Sequence, residues 1–487
     1  MTILIQPMFS KQEINGDSCY VLIKAMVNSI AKLRSDIDFV MIFPDAESGY
    51  KWEDDGFFKL KNICRVPQRV SPRKRSNAVT FDGTWYDALF HRFGFDVIWC
   101  NLVEVTHLLK YSGESGFTKD SFPYVIAAHN YVIHDSLPYP MTGLEQIIGQ
   151  QAIGSALADI NVFNSIYTKK MWGEAASRFL KPELISETLD RSIVIPLGVL
   201  DGSAKAKRMN DGIVRIAYNH RLQNYKNWKI TFDLCGELHK AGYPIELWYF
   251  SNTSEHLGMI SHLPFVKIKL NVTHEAYMRE LACCDLNVTN SQYETFCISA
   301  IESMALGQPL IAPDGVTFPE ITGRDELKYP YLFKKPSEQK SMMVDLISHA
   351  EKRERWGRAL ARFVNREFNS ELWAQRYLKV FDASTNFNFD RTAEDARDFF
   401  IDCLRENHGK TIQELKNSLY RGDDARLGRR PFSSQSMTFT RMYRFAQYLG
   451  ARTTIEGGKQ FIWTEGVKDG KKSGTTAAPK TRGKRKH

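Results

Sequence analysis

The sequence predicts an α/β protein with two doubly wound domains in tandem and a small α+β domain at the C-terminal end. Short apolar runs rich in β-forming residues alternate with amphipathic stretches, and this rhythm restarts near residue 213. Such alternation is typical of a parallel sheet covered by helices. The length points the same way, because 487 residues exceed what one hydrophobic core usually supports.

The composition indicates a folded, reduced protein. With 43% hydrophobic and 25% charged residues, the chain has a globular rather than a disordered or fibrous composition. No apolar run approaches the roughly 18 residues of a membrane span, and the first residues show no basic leader or cleavage site, so we expect a cytoplasmic protein. Eight cysteines without CxxC or Cys/His zinc spacing argue against a disulfide scaffold or structural zinc.

The first domain is expected to cover residues 1–200. Its apolar runs are separated by stretches long enough for helices, which predicts parallel pairing of successive strands. The predicted strands are Thr2–Gln6, Asp38–Phe43, Asp96–Cys100, Tyr124–Ala128, Asp159–Phe163 and Ser192–Pro196.

The second domain is expected to cover residues 201–382. Its predicted strands are Ile213–Tyr218, Ile245–Phe250, Val266–Leu270, Leu286–Thr289 and Pro309–Ala312. One long helical stretch follows at about residues 351–381, and we expect it to pack back on the first domain before the polar linker 382–390. Ligands of doubly wound sheets bind beyond the carboxyl ends of the strands, so the cleft between the two domains is the expected site.

Two glutamates in the second domain stand eight positions apart, Glu294 and Glu302, inside the pattern E-x-F-x-x-x-x-x-E-x-M-A-x-G-x-P. If both lay on one helix, they would be about 12 Å apart along its axis and about 80° apart around it, too far for a close carboxylate dyad. Each must therefore serve a different part of a ligand. The segment resembles the donor-binding segment of the family 4 glycosyltransferases, which are retaining enzymes of GT-B fold with two Rossmann-like domains.

The resemblance implies roles for this segment. Glu302 is expected to accept hydrogen bonds from ribose hydroxyls, and Glu294 from the sugar of a nucleotide diphosphate sugar. A helix N-terminus favours negative charge, so backbone amides there are expected to approach the donor. These amides belong to Thr295, Phe296, Cys297 and Ile298.

Two cations after the first strand of the second domain, Arg221 and Lys226, follow the family spacing R-L-x-x-x-K. Fixed cationic donors stabilise the charge that gathers on a leaving diphosphate, so we expect no metal requirement. The alternative is a pair of solvated loop cations. The sequence departs from the family at His220, where relatives usually have glycine.

The first domain resembles the family more loosely. His129 ends a predicted strand and is similar to the family histidine that faces the sugar, whereas His134 is the lesser candidate. Ser165 and Lys169 lie in a further similar segment. Gly16 stands in a loop where relatives often have paired glycines, and it is a candidate donor contact, although an ordinary loop is the alternative.

The last fifth of the chain carries the whole net charge. Residues 390–487 contain 21 Lys and Arg against 12 Asp and Glu, a surplus equal to the formal charge of +9 for the entire chain. Such a surplus favours a polyanionic partner. Residues 391–466 predict three helices and then a hairpin around two glycines, which is the element order of a winged helix. Residues 467–487 are expected to form a disordered basic tail.

Winged helices place the third helix in the major groove and the wing along the backbone, so cations in these elements are candidate DNA contacts. Further candidates lie in the loop before the third helix and in one loop of the first domain. The expected nucleic-acid contacts are Arg441, Arg444, Arg452, Lys459, Arg429, Arg430, Arg73, Lys74 and Arg75. The alternative is that the module binds a protein.

Together these features predict a retaining transferase that moves a sugar, with glucose expected, from a UDP-sugar to a hydroxyl on a modified DNA base. The expected acceptor is a 5-hydroxymethylpyrimidine in duplex DNA, as in bacteriophage genome modification, since ordinary bases offer no alcohol. One alternative keeps the enzyme and makes the acceptor a glycan, lipid, protein or tRNA base. Another is a DNA-binding regulator that senses a sugar nucleotide.

Overall fold

The computed structural model describes residues 1–9, 13–68, 83–115, 123–130, 144–198, 209, 211–251, 254, 256–270, 273–386, 408–409, 452–456 and 459–463. The chain forms two compact units, Met1–Thr385 and Asn386–His487. Within the described ranges, no helix combines the length and the apolar character that crossing a membrane requires.

The first sheet of the larger unit is parallel and, in the described part of the chain, has seven strands in the order β3-β2-β1-β4-β5-β6-β7. The strands are β1 (Thr2–Gln6), β2 (Asp38–Pro44), β3 (Ile63–Gln68), β4 (Val97–Cys100), β5 (Tyr124–His129), β6 (Ile160–Phe163) and β7 (Ser192–Val194). The helices are α1 (Ser18–Leu33), α2 (Gly83–Phe93), α3 (Thr106–Ser115), α4 (Leu144–Leu157), α5 (Ile166–Ala176) and α6 (Pro182–Asp190).

The second sheet is also parallel, and its described strands run in the order β10-β9-β8-β11-β12-β13. They are β8 (Val214–Tyr218), β9 (Ile245–Ser251), β10 (Val266–Leu270), β11 (Leu286–Val288), β12 (Leu310–Pro313) and β13 (Leu332–Phe333). The helices are α7 (Trp228–Lys240), α8 (His274–Leu281), α9 (Ile298–Ala305), α10 (Phe318–Ile321), α11 (Arg324–Leu327), α12 (Pro336–Ser348), α13 (Ala350–Glu367) and α14 (Ser370–Asn386).

These two sheets confirm the predicted α/β class with two doubly wound domains. Every predicted strand is present, with ends that differ by one or two residues. The sequence analysis missed β3 and β13. β3 contains Pro67 and lies at the sheet edge, where proline is tolerated, and β13 is only two residues long.

The prediction of one long helical stretch at about residues 351–381 was wrong in one respect, because the structure has two helices there. Phe368 leaves the helical conformation with φ −124° and ψ 24°. The side chain of Asn369 then accepts a hydrogen bond from the amide of Leu372 at 2.7 Å, as a helix-capping residue does. The cap starts α14 as a new helix.

α14 packs against the first domain. The ring of Tyr377 lies 5.3 Å from that of Trp99 on β4, and the ring of Phe381 lies 6.2 Å from it. Near the end of the helix, Asp382 accepts a hydrogen bond from Arg34 at 3.1 Å. A helix that follows the second sheet therefore contributes to the core beneath the first.

In the smaller unit the structure describes two antiparallel strands, β14 (Arg452–Glu456) and β15 (Lys459–Trp463), with Glu456 opposite Lys459. They confirm the strands of the predicted hairpin. The three helices predicted before them lie outside the described residues, so the winged helix stays a prediction. Several candidate cations also lie outside the described residues, and their contact with nucleic acid stays a prediction: Arg73, Lys74, Arg75, Arg429, Arg430, Arg441 and Arg444.

Close helix packing in the first domain depends on one glycine. Gly154 lies inside α4, which packs on the turn Val103–Val105. A Cβ atom at Gly154 would lie 2.2 Å from the carbonyl oxygen of Val103, a backbone atom that has little freedom to move. Gly236 inside α7 is different, because its nearest neighbours are ring atoms of Phe265 at 3.5 Å.

We expect Gly154→Ala and Gly236→Ala to change stability in opposite directions. Alanine favours a helix over glycine by up to about 1 kcal/mol at either site. At residue 154 the clash with Val103 outweighs this gain, and overpacking of this kind costs about 1–3 kcal/mol. Denaturant unfolding followed by circular dichroism measures both variants, and equal stability of the two would contradict the packing described.

Candidate active site

The candidate site lies at the carboxyl ends of β8 and β11. β8 pairs with β9 on one side and β11 on the other, so the direction of strand order reverses between these neighbours. Chains leaving adjacent strands at such a switch point turn to opposite faces and open a crevice that binds ligands. The segment 219–226 after β8 and the segment 289–297 after β11 meet there.

A buried ion pair joins these two segments. Lys226 ends a short turn before α7 and is 8% exposed, and its ammonium group donates a hydrogen bond to Oε1 of Glu294. Burial has the largest single effect on the pKa of Glu294 and raises it, but the charge of Lys226 and the other neighbouring contacts together outweigh burial, so the pKa lies below its usual range. Burial also has the largest single effect on the pKa of Lys226 and lowers it, but the charge and hydrogen bond of Glu294 together with further neighbours raise this pKa above its usual value. Both groups are therefore charged at neutral pH.

His220, the departure from the family pattern, lies beside this pair. Its Nδ1 is 3.9 Å from Oε1 of Glu294 and 3.4 Å from the hydroxyl of Ser299. Burial, followed by the charge of Lys226, lowers the pKa of His220 to about 3, so the imidazole is neutral. His220, Glu294 and Cys297 each offer one ligand atom, and these three atoms lie within 4.8 Å of one another, a spacing that suits a bound cation. The cation that binds Glu294 in this arrangement is the Lys226 ammonium group.

Arg221 contrasts with Lys226, since its side chain is exposed. It donates a hydrogen bond to the hydroxyl of Tyr225 at 3.4 Å. Among the described residues, no carboxylate forms a salt bridge with Arg221. Its charge is therefore available to an anionic ligand at the mouth of the crevice.

Glu302 lies on α9, whereas Glu294 lies in the loop before it, since α9 begins at Ile298. The two glutamates are thus not on one helix. The hydroxyl of Tyr277 donates to Oε2 of Glu302 at 2.9 Å and accepts from the amide of Asn219, also at 2.9 Å. Burial raises the pKa of Glu302 to about 7, and the Tyr277 bond lowers it only in part. The carboxyl group is therefore close to half-protonated at neutral pH.

The loop between the glutamates ends in a left-handed turn at Cys297, with φ +63°. This conformation is unusual for a side-chain-bearing residue, and it directs the chain sharply into α9. Phe296 is buried with its ring 5.4 Å from that of Phe368. Among the described residues, none accepts a hydrogen bond from the amides of Thr295 to Ile298. These donors, at the N-terminus of a helix, suit an anion.

The first domain contacts this loop through Thr295. The carbonyl oxygen of Thr295 lies 2.7 Å from the hydroxyl of Ser165 and 3.1 Å from that of Thr168, at the start of α5. The hydroxyl of Thr295 donates to the carbonyl oxygen of Asn130 at 3.0 Å and lies 3.3 Å from the amide nitrogen of Asn164. We call Asn130, Asn164, Ser165 and Thr168 the clasp.

Of the remaining histidine and glycine candidates of the first domain, the structure describes His129 and Gly16, whereas His134 lies outside the described residues. His129 is buried in the first domain, with Nε2 3.0 Å from Oδ1 of Asn161 and its ring 4.1 Å from that of Phe163. Burial lowers the pKa of His129 to about 4. Gly16 lies before α1, whose first amides are capped by the Asp17 carboxylate. Contact of either residue with a donor stays a prediction.

Sequence reasoning missed the residues that hold the site together. Tyr277 and Asn219 position Glu302, and Thr168 and Asn130 bind the loop after Glu294. Asn219 follows β8 directly, a position that could have drawn attention to it. Asn130 follows β5 in the same way, whereas Tyr277 and Thr168 carried no signal of spacing or residue type. Lys169, noted in the same segment, binds the carbonyl oxygens of Leu189 and Ser192 instead.

Comparisons with known proteins identify a matching family and several solved structures with a similar fold. Residues 210–362 match the family Glycosyl transferases group 1. The sucrose-phosphate synthase of Thermosynechococcus elongatus is 14% identical with a TM-score of 0.60, covering 78% of this chain and 99% of its own. Anabaena HepE in complex with UDP-glucose is 12% identical with a TM-score of 0.56, covering 79% and 100%. A glycosyltransferase from Rickettsia africae is 12% identical with a TM-score of 0.57, covering 80% and 99%.

No curated protein matches the chain significantly. At these low identities the solved structures share the fold with this chain. The family match lies in the domain that contains Lys226, Glu294 and Glu302. Family match and shared fold together support a glycosyltransferase of GT-B fold.

Proposed function

We propose that the protein transfers a sugar from a nucleotide diphosphate sugar to an alcohol, with retention at the anomeric carbon. The observation that carries the proposal is the buried Lys226–Glu294 pair at the strand switch point, beside the exposed Arg221. Cations at that place suit a diphosphate, and carboxyl groups suit sugar and ribose hydroxyls. Glu302, eight residues after Glu294, is the proposed ribose acceptor.

UDP-glucose is the proposed donor. Anabaena HepE, which shares the fold, has been solved with UDP-glucose, with UDP, and with UDP and glucose. In this chain, the amides of Thr295 to Ile298, which have no acceptor among the described residues, and the Arg221 guanidinium supply donors for a diphosphate. Asn219 and Tyr277 hold Glu302 in place for a ribose. A UDP-sugar therefore matches the groups present.

The proposed reaction needs no nucleophile from the protein. The bond between the anomeric carbon and the diphosphate oxygen breaks, and the acceptor oxygen bonds to the same carbon on the same face. The acceptor proton passes to the departing phosphate oxygen. Negative charge grows on the diphosphate as the bond breaks, and the fixed cations Arg221 and Lys226 stabilise it in the transition state.

For the acceptor we propose a 5-hydroxymethylpyrimidine in duplex DNA. The charge surplus of residues 390–487 supports a polyanionic partner, and β14 and β15 supply a hairpin of the kind a winged helix uses. A base in a duplex must leave the stack to reach an enzyme cleft. The cations of the smaller unit would hold the backbone while it does so.

Arg221→Ala tests the proposed electrostatic role. Because Arg221 is exposed and unpaired with any described carboxylate, its loss leaves no buried charge behind, and we expect an unchanged melting temperature. The kcat/KM for UDP-glucose should fall about a hundredfold or more, as for other transition-state donors. Lys229→Ala, an exposed lysine three residues after Lys226, is the matched control and should keep its activity. Equal kcat/KM in both variants would remove Arg221 from the mechanism.

Glu302 predicts a pH-dependent affinity for UDP-glucose, a ligand without a group that titrates near neutral pH. Ribose hydroxyls bind the carboxylate, so affinity should fall as pH decreases below the Glu302 pKa of about 7. The expected slope approaches tenfold per pH unit. Glu302→Gln cannot titrate, and its weaker affinity should be flat from about pH 5.5 to 8. Calorimetric titration measures both, and a flat profile for the unmodified protein would exclude this role.

The stability of the ligand-free protein should show the opposite pH trend. The pKa of Glu302 is raised from 4.5 to about 7 in the folded state, so folding favours the protonated form. Its contribution is complete below about pH 4.5 and is lost as pH rises through 7. Glu302→Gln should therefore be the more stable protein at pH 8. A melting temperature below that of the unmodified protein at pH 8 would contradict the burial described.

Transfer to DNA is tested by mass spectrometry of duplexes incubated with UDP-glucose. We expect one hexosyl unit on hydroxymethylated duplexes and none on plain duplexes. The double variant Arg441→Glu/Arg444→Glu should lose transfer to duplex DNA while it keeps donor hydrolysis, because only the docking charge changes sign. Lys181→Glu/Lys240→Glu, at two exposed lysines of the larger unit, is the control of equal charge change and should keep transfer to duplex DNA. Transfer to a small alcohol but never to DNA would exclude DNA as the acceptor and would leave the proposed transferase activity intact.

A further inference from the structure

The clasp binds the second domain at one residue, Thr295, which lies in the loop of the candidate site. Thr295 directly follows Glu294 and precedes the turn at Cys297. Its carbonyl oxygen and its hydroxyl are both bound by first-domain groups, at distances from 2.7 to 3.3 Å. Ser165 and Thr168 are 0% and 1% exposed, so water does not compete for these bonds.

Peptide geometry links this contact to the amide of Phe296. The Thr295 carbonyl and the Phe296 N–H belong to one planar trans peptide, in which the two groups point in opposite directions. Hydroxyls that hold the carbonyl on the first-domain side therefore aim the Phe296 N–H the other way. Because Thr295 is bound through both its carbonyl oxygen and its hydroxyl, the residue that directly follows Glu294 is held in place.

We infer that Ser165 and Thr168 are positioning residues for glycosyl transfer. Their hydroxyls fix the Thr295 peptide, so the loop with Glu294 keeps its geometry for the donor only while it contacts the first domain. The inference rests on the proposed function of this loop. Neither residue touches the donor, and both act through Thr295.

The number of protons available at the clasp decides which hydroxyl donates each hydrogen bond. A hydroxyl has one proton to give. Ser165 gives its proton to the Thr295 carbonyl oxygen at 2.7 Å and accepts from the amide of Thr168 at 3.0 Å. Thr168 lies 2.7 Å from Oδ1 of Asn164 and 3.1 Å from the Thr295 carbonyl oxygen. Ser165 is therefore the principal donor to the Thr295 carbonyl oxygen, and the single Thr168 proton is shared between Oδ1 of Asn164 and that same carbonyl oxygen.

A second contact holds the same helix end. Both carboxylate oxygens of Glu320, from the second domain, accept from the amide of Ile166 at 3.0 and 2.9 Å. A carboxylate at the N-terminus of α5 is also favoured by the helix dipole. The start of α5 thus gives hydrogen bonds to Thr295 and to Glu320, and the second domain is held at two places.

The clasp predicts a specific kinetic signature. Ground-state affinity for the nucleotide depends mainly on Glu302 and the cations, whereas the Phe296 amide and Glu294 matter most in the transition state, where negative charge grows on the diphosphate. Misplacement of a reacting group by about 1 Å can cost a hundredfold in rate. Loss of a clasp hydroxyl should therefore lower kcat about 10- to 100-fold and change the dissociation constant of UDP-glucose by no more than about twofold.

The test uses pairs of variants in the full chain. Thr168→Val keeps the shape of the side chain and removes its hydroxyl, and Ser165→Ala removes the direct donor. Thr168→Ser and Ser165→Thr keep the hydroxyl and should restore most of kcat. Thr188→Val is the matched control, because the buried Thr188 hydroxyl binds only the Leu184 carbonyl oxygen of its own helix among the described contacts. It should leave kcat unchanged.

Hydrogen exchange supplies a measurement that does not require turnover. The amides of Ala300 and Ile301, which donate to the Cys297 carbonyl oxygen at the start of α9, should exchange at least about tenfold faster in Thr168→Val and Ser165→Ala than in the unmodified protein or Thr188→Val. Unchanged exchange and unchanged kcat in both variants would overturn the inference. If the unmodified protein bound no nucleotide sugar, the proposed function would fail, and unchanged exchange would then still refute the clasp on its own.

Discussion

The pair of Lys226 and Glu294 is the interaction on which the site depends. It joins the segment after β8 to the segment after β11, two loops that are also connected by a backbone hydrogen bond from the Gln292 amide to the Tyr225 carbonyl oxygen at 3.0 Å. A buried charge left alone is costly, since removal of one partner of such a pair typically destabilises a protein by about 3–5 kcal/mol. Each residue therefore keeps the other ionised and in place. The crevice contains a fixed cation before any ligand arrives, which is the preorganisation that electrostatic catalysis requires.

The fold explains why this pair forms at that place. Strand order reverses between β8 and β11, so the chain leaving each strand turns away and frees the space above both carboxyl ends. α9 then starts without a side-chain cap from Cys297, and Gly307, at φ +80°, ends it. Of the two motif glutamates, Glu294 lies in the loop before this short helix and Glu302 lies in its body. Its buried face packs on α13, and Thr295 connects its loop to the first domain.

The sequence was most informative where chemistry and periodicity coincide. Alternating apolar runs predicted the strands of both sheets except β3 and β13, and the motif around Glu294 and Glu302 indicated the candidate site. The sequence could not reveal the roles of Tyr277 and Thr168, because each role depends on a partner distant in the chain. Glu302 lies 25 residues from Tyr277, and Thr295 lies 127 residues from Thr168. Asn369 interrupted a helix that apolar periodicity alone made continuous. Periodicity reports burial of a face, and it does not report hydrogen bonds across domains.

Burial tunes the two ionisable neighbours of the pair in ways that suit an anionic ligand. His220 remains neutral, with a pKa of about 3, so it adds an uncharged imidazole beside Glu294 and does not compete with Lys226 for its charge. Glu302, with a pKa of about 7, is partly neutral until hydroxyl donors favour its carboxylate. A site with one permanent carboxylate and one conditional carboxylate repels a diphosphate less than two permanent ones would. The cations Arg221 and Lys226 then suffice to make the crevice attractive to an anion.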